Sequence, residues 1–166
     1  MTKINAKYIL IKFVTVALIA LICVGVSLVA SLIFGTLGDD QHFQMMLVSA
    51  CSFAAFSLIY FGIVKKANVR KISRINFILG DTAAFAIYAL IGGIIAGVVD
   101  GALYSWVSFF FLPALFFVYL TDITALGIAL HVLAFALVAW AGWSVSEKRD
   151  ERECALASGK TERDDA

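Results

Sequence analysis

Four long apolar runs divide this 166-residue chain so that all thirteen Lys and Arg residues fall on one side of them. Lys3, Lys7 and Lys12 precede the first run. Lys65, Lys66, Arg70, Lys71 and Arg74 lie between the second and third, and Lys148, Arg149, Arg152, Lys160 and Arg163 follow the last. The alternate turns carry Asp39, Asp40, His42, Asp100 and Asp122 instead. Short loops that keep Lys and Arg stay cytoplasmic, so this asymmetry predicts an even number of crossings with both termini in the cytoplasm. The expected fold class is an all-α integral membrane protein: a four-helix transmembrane bundle, multi-pass in a plasma or inner cell membrane.

A helix needs about 20 apolar residues to cross the hydrocarbon core. The segments that qualify are about 8–34, 43–64, 77–99 and 123–145. Tyr8, Tyr60, Trp140 and Trp143 fall near the inner boundary, and Tyr104, Trp106 and Tyr119 near the outer one, as interfacial belts require. The first run follows a basic stretch as a secretory signal would. However, Phe13 to Leu37 is 25 residues long, against about 7–15 for a signal core, and no small-x-small cleavage site ends it. It is expected to be a retained span.

The connection at about 103–121 is too apolar for a water-exposed loop, and its core from Trp106 to Tyr119 is too short to span untilted, with Pro113 near its middle. It is expected to be a re-entrant or interfacial segment on the outer side, its broken backbone covered by the other helices. The rival reading makes Leu103 to Thr121 a fifth span, which would carry the basic tail outside against the charge rule. Residues 1–146 then form the bundle and 147–166 a charged cytoplasmic tail. Glu147 to Ala157 should prolong the last helix, with Gly159 stopping it.

Composition supports lipid as the solvent. At 62% hydrophobic residues the chain exceeds the usual apolar share of a soluble globule, about 45–50%. The net charge of +1 gives nucleic-acid binding no support. Three cysteines without a CxxC, two of them inside apolar runs, predict no disulfide framework.

The third span carries Ala89, Gly93, Gly97 and Gly101 at i+4 spacing, and the first span carries Ser27, Ser31 and Gly35. Small residues at that spacing let helices approach closely. Both stripes lie in the outer halves of their helices, so they are expected to pack on one another, or else to form a homodimer seam.

Ionisable residues at membrane depth are the usual pointers to function. Asp81 lies just inside the third span, where the positive helix end with Arg74 and Lys71 should stabilise it. Thr121 and Asp122 should cap the last helix. Asp100 stands at a helix C-terminus, where the macrodipole disfavours a carboxylate, so it marks either a helix end or a site with a compensating cation. His131 lies roughly 13 Å below the outer end of the last span, counting nine residues from Asp122. It is either a neutral imidazole bonded to Ser27, Ser52 or Tyr88, or a proton relay. Asp100, Asp122 and His131 together define a candidate polar pathway.

No GxSxG, HExxH, P-loop or GxGxxG motif occurs, and two histidines without supporting Cys or Asp spacing make no zinc site. No catalytic residue, cofactor or metal is expected. The leading expectation is a non-enzymatic component that meets lipid and associates with another membrane protein or a homo-oligomeric copy. The alternative is a small transporter or channel for a cation or a proton-coupled solute.

Overall fold

The computed structural model describes residues 6–35, 40–66, 73–98, 109–121 and 123–164. The chain is almost entirely helical over these: α1 (Ala6–Phe34), α2 (Gln41–Lys66), α3 (Arg74–Val98), a 3-10 turn at Leu112–Ala114, α4 (Phe116–Thr121) and α5 (Thr124–Asp164). Four helices, α1, α2, α3 and α5, are long and apolar enough to cross a membrane.

Side-chain oxygens start two of them. Asp40 Oδ1 accepts from the amides of His42 and Phe43 at 3.0 and 3.2 Å, and Ser73 Oγ accepts from the amide of Asn76 at 3.3 Å. Each satisfies an otherwise orphaned amide, an effect worth about 1 kcal/mol per cap.

The helices pack as a ring in the order α1, α2, α5, α3. Given the chain direction, α1 runs parallel to α3 and α2 parallel to α5. The end where α1 and α3 begin is the basic end of the bundle. Each helix turns one stripe inward. On α5 it is Gly127, His131, Phe135, Ala139, Trp143, Ser146 and Asp150; on α2 it is Ser52, Phe56, Tyr60 and Val64. Steps of three and four residues keep such positions on one face. The outward faces are apolar as well: Leu10, Leu18 and Leu21 of α1, Leu58 of α2, Ile94 of α3 and Leu137 of α5 are all exposed.

Residues 109–121 close the far end, packed mainly on α2 and α5. Pro113 explains the break. Its ring has no N–H to donate and clashes with a preceding carbonyl, so the chain tightens into the 3-10 turn before α4 resumes. Leu112, Pro113, Ala114 and Leu115 are all buried. Two glycines receive this segment. A Cβ on Gly127 would lie 2.5 Å from Val118 Cα, and one on Gly92 would lie 2.8 Å from Phe111 Cδ1. Only a residue without a side chain permits the first approach, because the atom it meets is backbone.

The last helix differs from expectation. It continues through Gly159 to Asp164, 41 residues in all. A helical glycine costs only about 1 kcal/mol, and neighbours such as Ala157, Lys160 and Glu162 are good helix formers. At 1.5 Å per residue α5 measures about 60 Å, roughly twice a hydrocarbon core, so it projects beyond the bundle. Arg149 ties the projection down by donating to the Lys65 carbonyl at 2.6 Å, which satisfies a free carbonyl at the end of α2.

Candidate functional site

The most highly organised polar group lies at the basic end, between α1, α2 and α3. Lys12 Nζ sits 2.9 Å from Asp81 Oδ1 and donates to Oδ2 at 3.2 Å. The Tyr60 hydroxyl donates to the same Oδ2 from across the ring. Asp81 is only 1% exposed, whereas 22% of the Lys12 side chain remains accessible. Aromatic faces surround the ammonium: Phe77 at 4.4 Å and Tyr8 at 5.5 Å from ring centroid to Nζ. The Tyr8 ring is seated on Gly80, and Trp143 backs Phe77 with centroids 5.0 Å apart.

A carboxylate this buried is tolerable only when paired and hydrogen-bonded. Here one cation and one hydroxyl do both, and they come from two other helices. The depth agrees on all three elements. Lys12 is six residues after the start of α1, Asp81 seven after the start of α3, and Tyr60 six before the end of α2.

Above this cluster the interior is aromatic. Phe85 and Phe135 stack with centroids 4.2 Å apart, Phe56 lies 5.5 Å from Phe85, and Tyr60 lies 4.6 Å from Phe135. Phe56, Phe85, Tyr88 and Phe135 are each 0% exposed. They form a dry layer between the two ends of the bundle.

His131 lies on the far side of that layer, also fully buried. Its Nδ1 donates to the Gly127 carbonyl at 3.2 Å. The Pro113 carbonyl faces the ring too, without the geometry of a hydrogen bond to Nε2. Phe53 and Phe117 meet the imidazole edge to face at 5.0 and 4.7 Å. The described contacts of His131 are therefore carbonyls and rings.

Several sequence expectations change here. Asp81 is held by Lys12, whereas Arg74 lies over Trp140 at 5.5 Å and Lys71 is outside the described residues. The expected Ser or Tyr partner of His131 is replaced by backbone, because those hydroxyls are engaged elsewhere. Ser27 and Ser52 meet at 2.6 Å while each also reaches its own helix, Cys23 O at 2.9 Å and Val48 O at 2.8 Å. Two hydroxyl protons serve three contacts, so one is unmade at any moment. Tyr88 donates to the Phe110 carbonyl and so pins the 109–121 segment. Thr121 ends α4, donating to Phe117 O at 2.7 Å, and does not cap α5.

Of the small-residue stripes, Ala89 is buried, Ser27 is buried against α2, Ser31 is half-buried and Gly35 is exposed at the end of α1. Gly93 and Gly97 lie within α3. Gly101, Asp100 and Asp122 lie outside the described residues, so the candidate polar pathway reduces to His131 among those that are described. No cluster of three or more His, Cys, Asp or Glu suited to a metal ion occurs among the described residues.

No protein-family model, curated protein or solved structure matches the chain. Fold and site alone define its class: an apolar four-helix bundle with a buried inter-helix ion pair at one end and an aromatic-lined histidine at the other.

Proposed function

We propose that this chain is a multi-pass membrane protein, with both termini on the cytoplasmic face of a plasma or inner membrane, that acts as a non-enzymatic component associating with another membrane protein or with a second copy. Its outward helix faces are apolar, which suits lipid and not water. The Lys and Arg distribution gives the orientation, and residues 109–121 serve as a re-entrant cap on the outer side.

The observation that carries the reading is the aromatic layer of Phe56, Phe85, Tyr88 and Phe135. Its buried rings lie between the Lys12–Asp81–Tyr60 cluster and His131, which supports a sealed interior over a conducting one. The ion pair is internally neutralised and so fastens helices together. Purified protein in proteoliposomes should be silent in cation and proton flux assays. Gentle extraction should recover it in fixed stoichiometry with another membrane protein or with itself. Robust flux from the purified wild-type chain alone would overturn the proposal.

One observation favours the transporter reading: intramembrane ionisable residues mark ion pathways by default, and Asp81 is such a residue. On that reading Asp81 carries the coupling, and the aromatic layer must part during turnover. Loss of flux in Asp81→Asn would then accompany the activity of the wild type.

A further inference from the structure

Beside the Lys12–Asp81 contact α1 and α3 carry a groove of about 410 Å³, lined by Ile9, Leu10 and Phe13 of α1 and by Ile87 and Ile91 of α3. Leu10 and Ile87 are exposed along it, at 61% and 42%. Lys7 stands three residues before Leu10, hence on the same helix face and one turn nearer the basic end. It is exposed and has no ion pair among the described residues. Lys12 is already paired with Asp81, so among the described residues of α1 the positive charge left beside the groove is that of Lys7.

Depth sets the order of these groups. With 29 residues, α1 measures about 43 Å, roughly 13 Å more than a hydrocarbon core, so about four residues at each end lie among headgroups. Lys7 falls at that level, and Leu10 and Phe13 fall where acyl chains begin. From the membrane surface inward the face therefore reads cation, then apolar slot. That is the complement of a phospholipid's phosphate and chain.

We propose that this groove binds an anionic phospholipid of the leaflet on the Lys- and Arg-rich side, with its phosphate at Lys7 and one acyl chain along Leu10, Phe13, Ile87 and Ile91. The proposal rests on the membrane reading above. The opening between the helices gives the chain a place that a smooth helix face lacks, and a single lysine near an anionic surface supplies the headgroup preference.

The test is native mass spectrometry of the full chain released from detergent carrying phosphatidylglycerol or phosphatidylcholine of the same chains. Wild type should retain one phosphatidylglycerol about fivefold better than phosphatidylcholine, the effect of about one Lys at a surface. Lys7→Ala should erase that preference, and Lys7→Arg should keep it. Ile87→Trp, which fills the groove, should lose the retained lipid, while Leu137→Trp on the exposed face of α5 should not. Equal retention of the two lipids by wild type, or an unchanged preference in Lys7→Ala, would overturn the site. So would efficient cross-linking of Leu10→Cys to another protein or a second copy with no lipid retained, because a helix would then occupy the groove. Failure of the membrane reading is separately visible, as release of the chain from membranes by alkaline carbonate without detergent.

Discussion

Lys12 and Asp81 are 69 residues apart in the chain, yet the ammonium of one lies 2.9 Å from the carboxylate of the other. They meet because α1 and α3 run parallel and carry them at nearly equal distances from their starts. Tyr60 reaches the same carboxylate from α2, so one buried charge draws on three helices. Lone charges are expensive in hydrocarbon, which makes the register of α1 against α3 the register that pairs them.

Removing one partner should therefore cost more than removing both. Lys12→Met leaves Asp81 buried and uncompensated. The expected loss is on the order of 3 kcal/mol, at the lower end for a broken buried pair because Lys12 is 22% exposed. Tyr60→Phe should cost about 2 kcal/mol, the scale of a hydrogen bond to a charged group. The double replacement Lys12→Met with Asp81→Leu should recover most of the stability. Reversible unfolding in mixed micelles measures all three, and a double variant no better than Lys12→Met alone would remove the pairing.

The sequence made the four long helices legible because each is an uninterrupted apolar run of spanning length, and Pro113 announced the break in the fifth apolar stretch. Partners were less legible. Lys12 stands beside the flanking basic residues in the sequence although it lies inside the first span's own limits, so chain proximity points Asp81 to Arg74, Lys71 and the helix end instead. Sequence proximity favours neighbours on one helix, whereas a parallel pair matches residues by depth. Depth also sets His131 level with Ser27 and Ser52, but these meet each other, and the backbone at Gly127 takes the imidazole.

The i+4 glycine stripe on α3 predicts close approach, yet the close seats described include Gly80 under the Tyr8 ring, outside that stripe, and Gly127 and Gly92 against residues 109–121. The last two meet a short broken segment and not a long helix, so no regular spacing betrays them. Gly127→Ala should push against Val118 backbone and destabilise the bundle by about 1–3 kcal/mol, the range of overpacking. Gly25→Ala, with nothing within 4 Å of the new Cβ, should be neutral or slightly stabilising. Thermal denaturation of the two variants side by side checks this, and equal effects would show that 109–121 does not sit on α5.

Arg149 predicts a local effect at the basic end. Its guanidinium holds the Lys65 carbonyl at 2.6 Å and Asp150 Oδ1 at 2.7 Å. Arg149→Ala should cost about 1–2 kcal/mol in global unfolding, because the carboxylate it meets, Asp150, is only 7% exposed although the arginine itself is 33% exposed. It should loosen the join between the end of α2 and the projecting part of α5. Hydrogen exchange should therefore quicken severalfold at the last turn of α2 and around residue 150, and unchanged exchange at both places would dismiss the cap.

Orientation gives the final prediction, and the cysteines supply the means. Cys23 is buried and Cys51 half-buried, whereas Cys154 is exposed on the projecting part of α5. If the Lys- and Arg-rich end is cytoplasmic, a membrane-impermeant maleimide should spare Cys154 in intact cells and modify it once the membrane is opened. The opposite end should behave inversely. Gln41 is exposed beside the Asp40 cap, so Gln41→Cys in a Cys154→Ser background keeps the cap and should be labelled from outside. Labelling of Cys154 in intact cells, with protection of Gln41→Cys, would invert the bundle. Labelling of both from outside would place an even number of crossings between them and revive the five-span arrangement, in spite of the positive charge that the tail would then carry across the membrane.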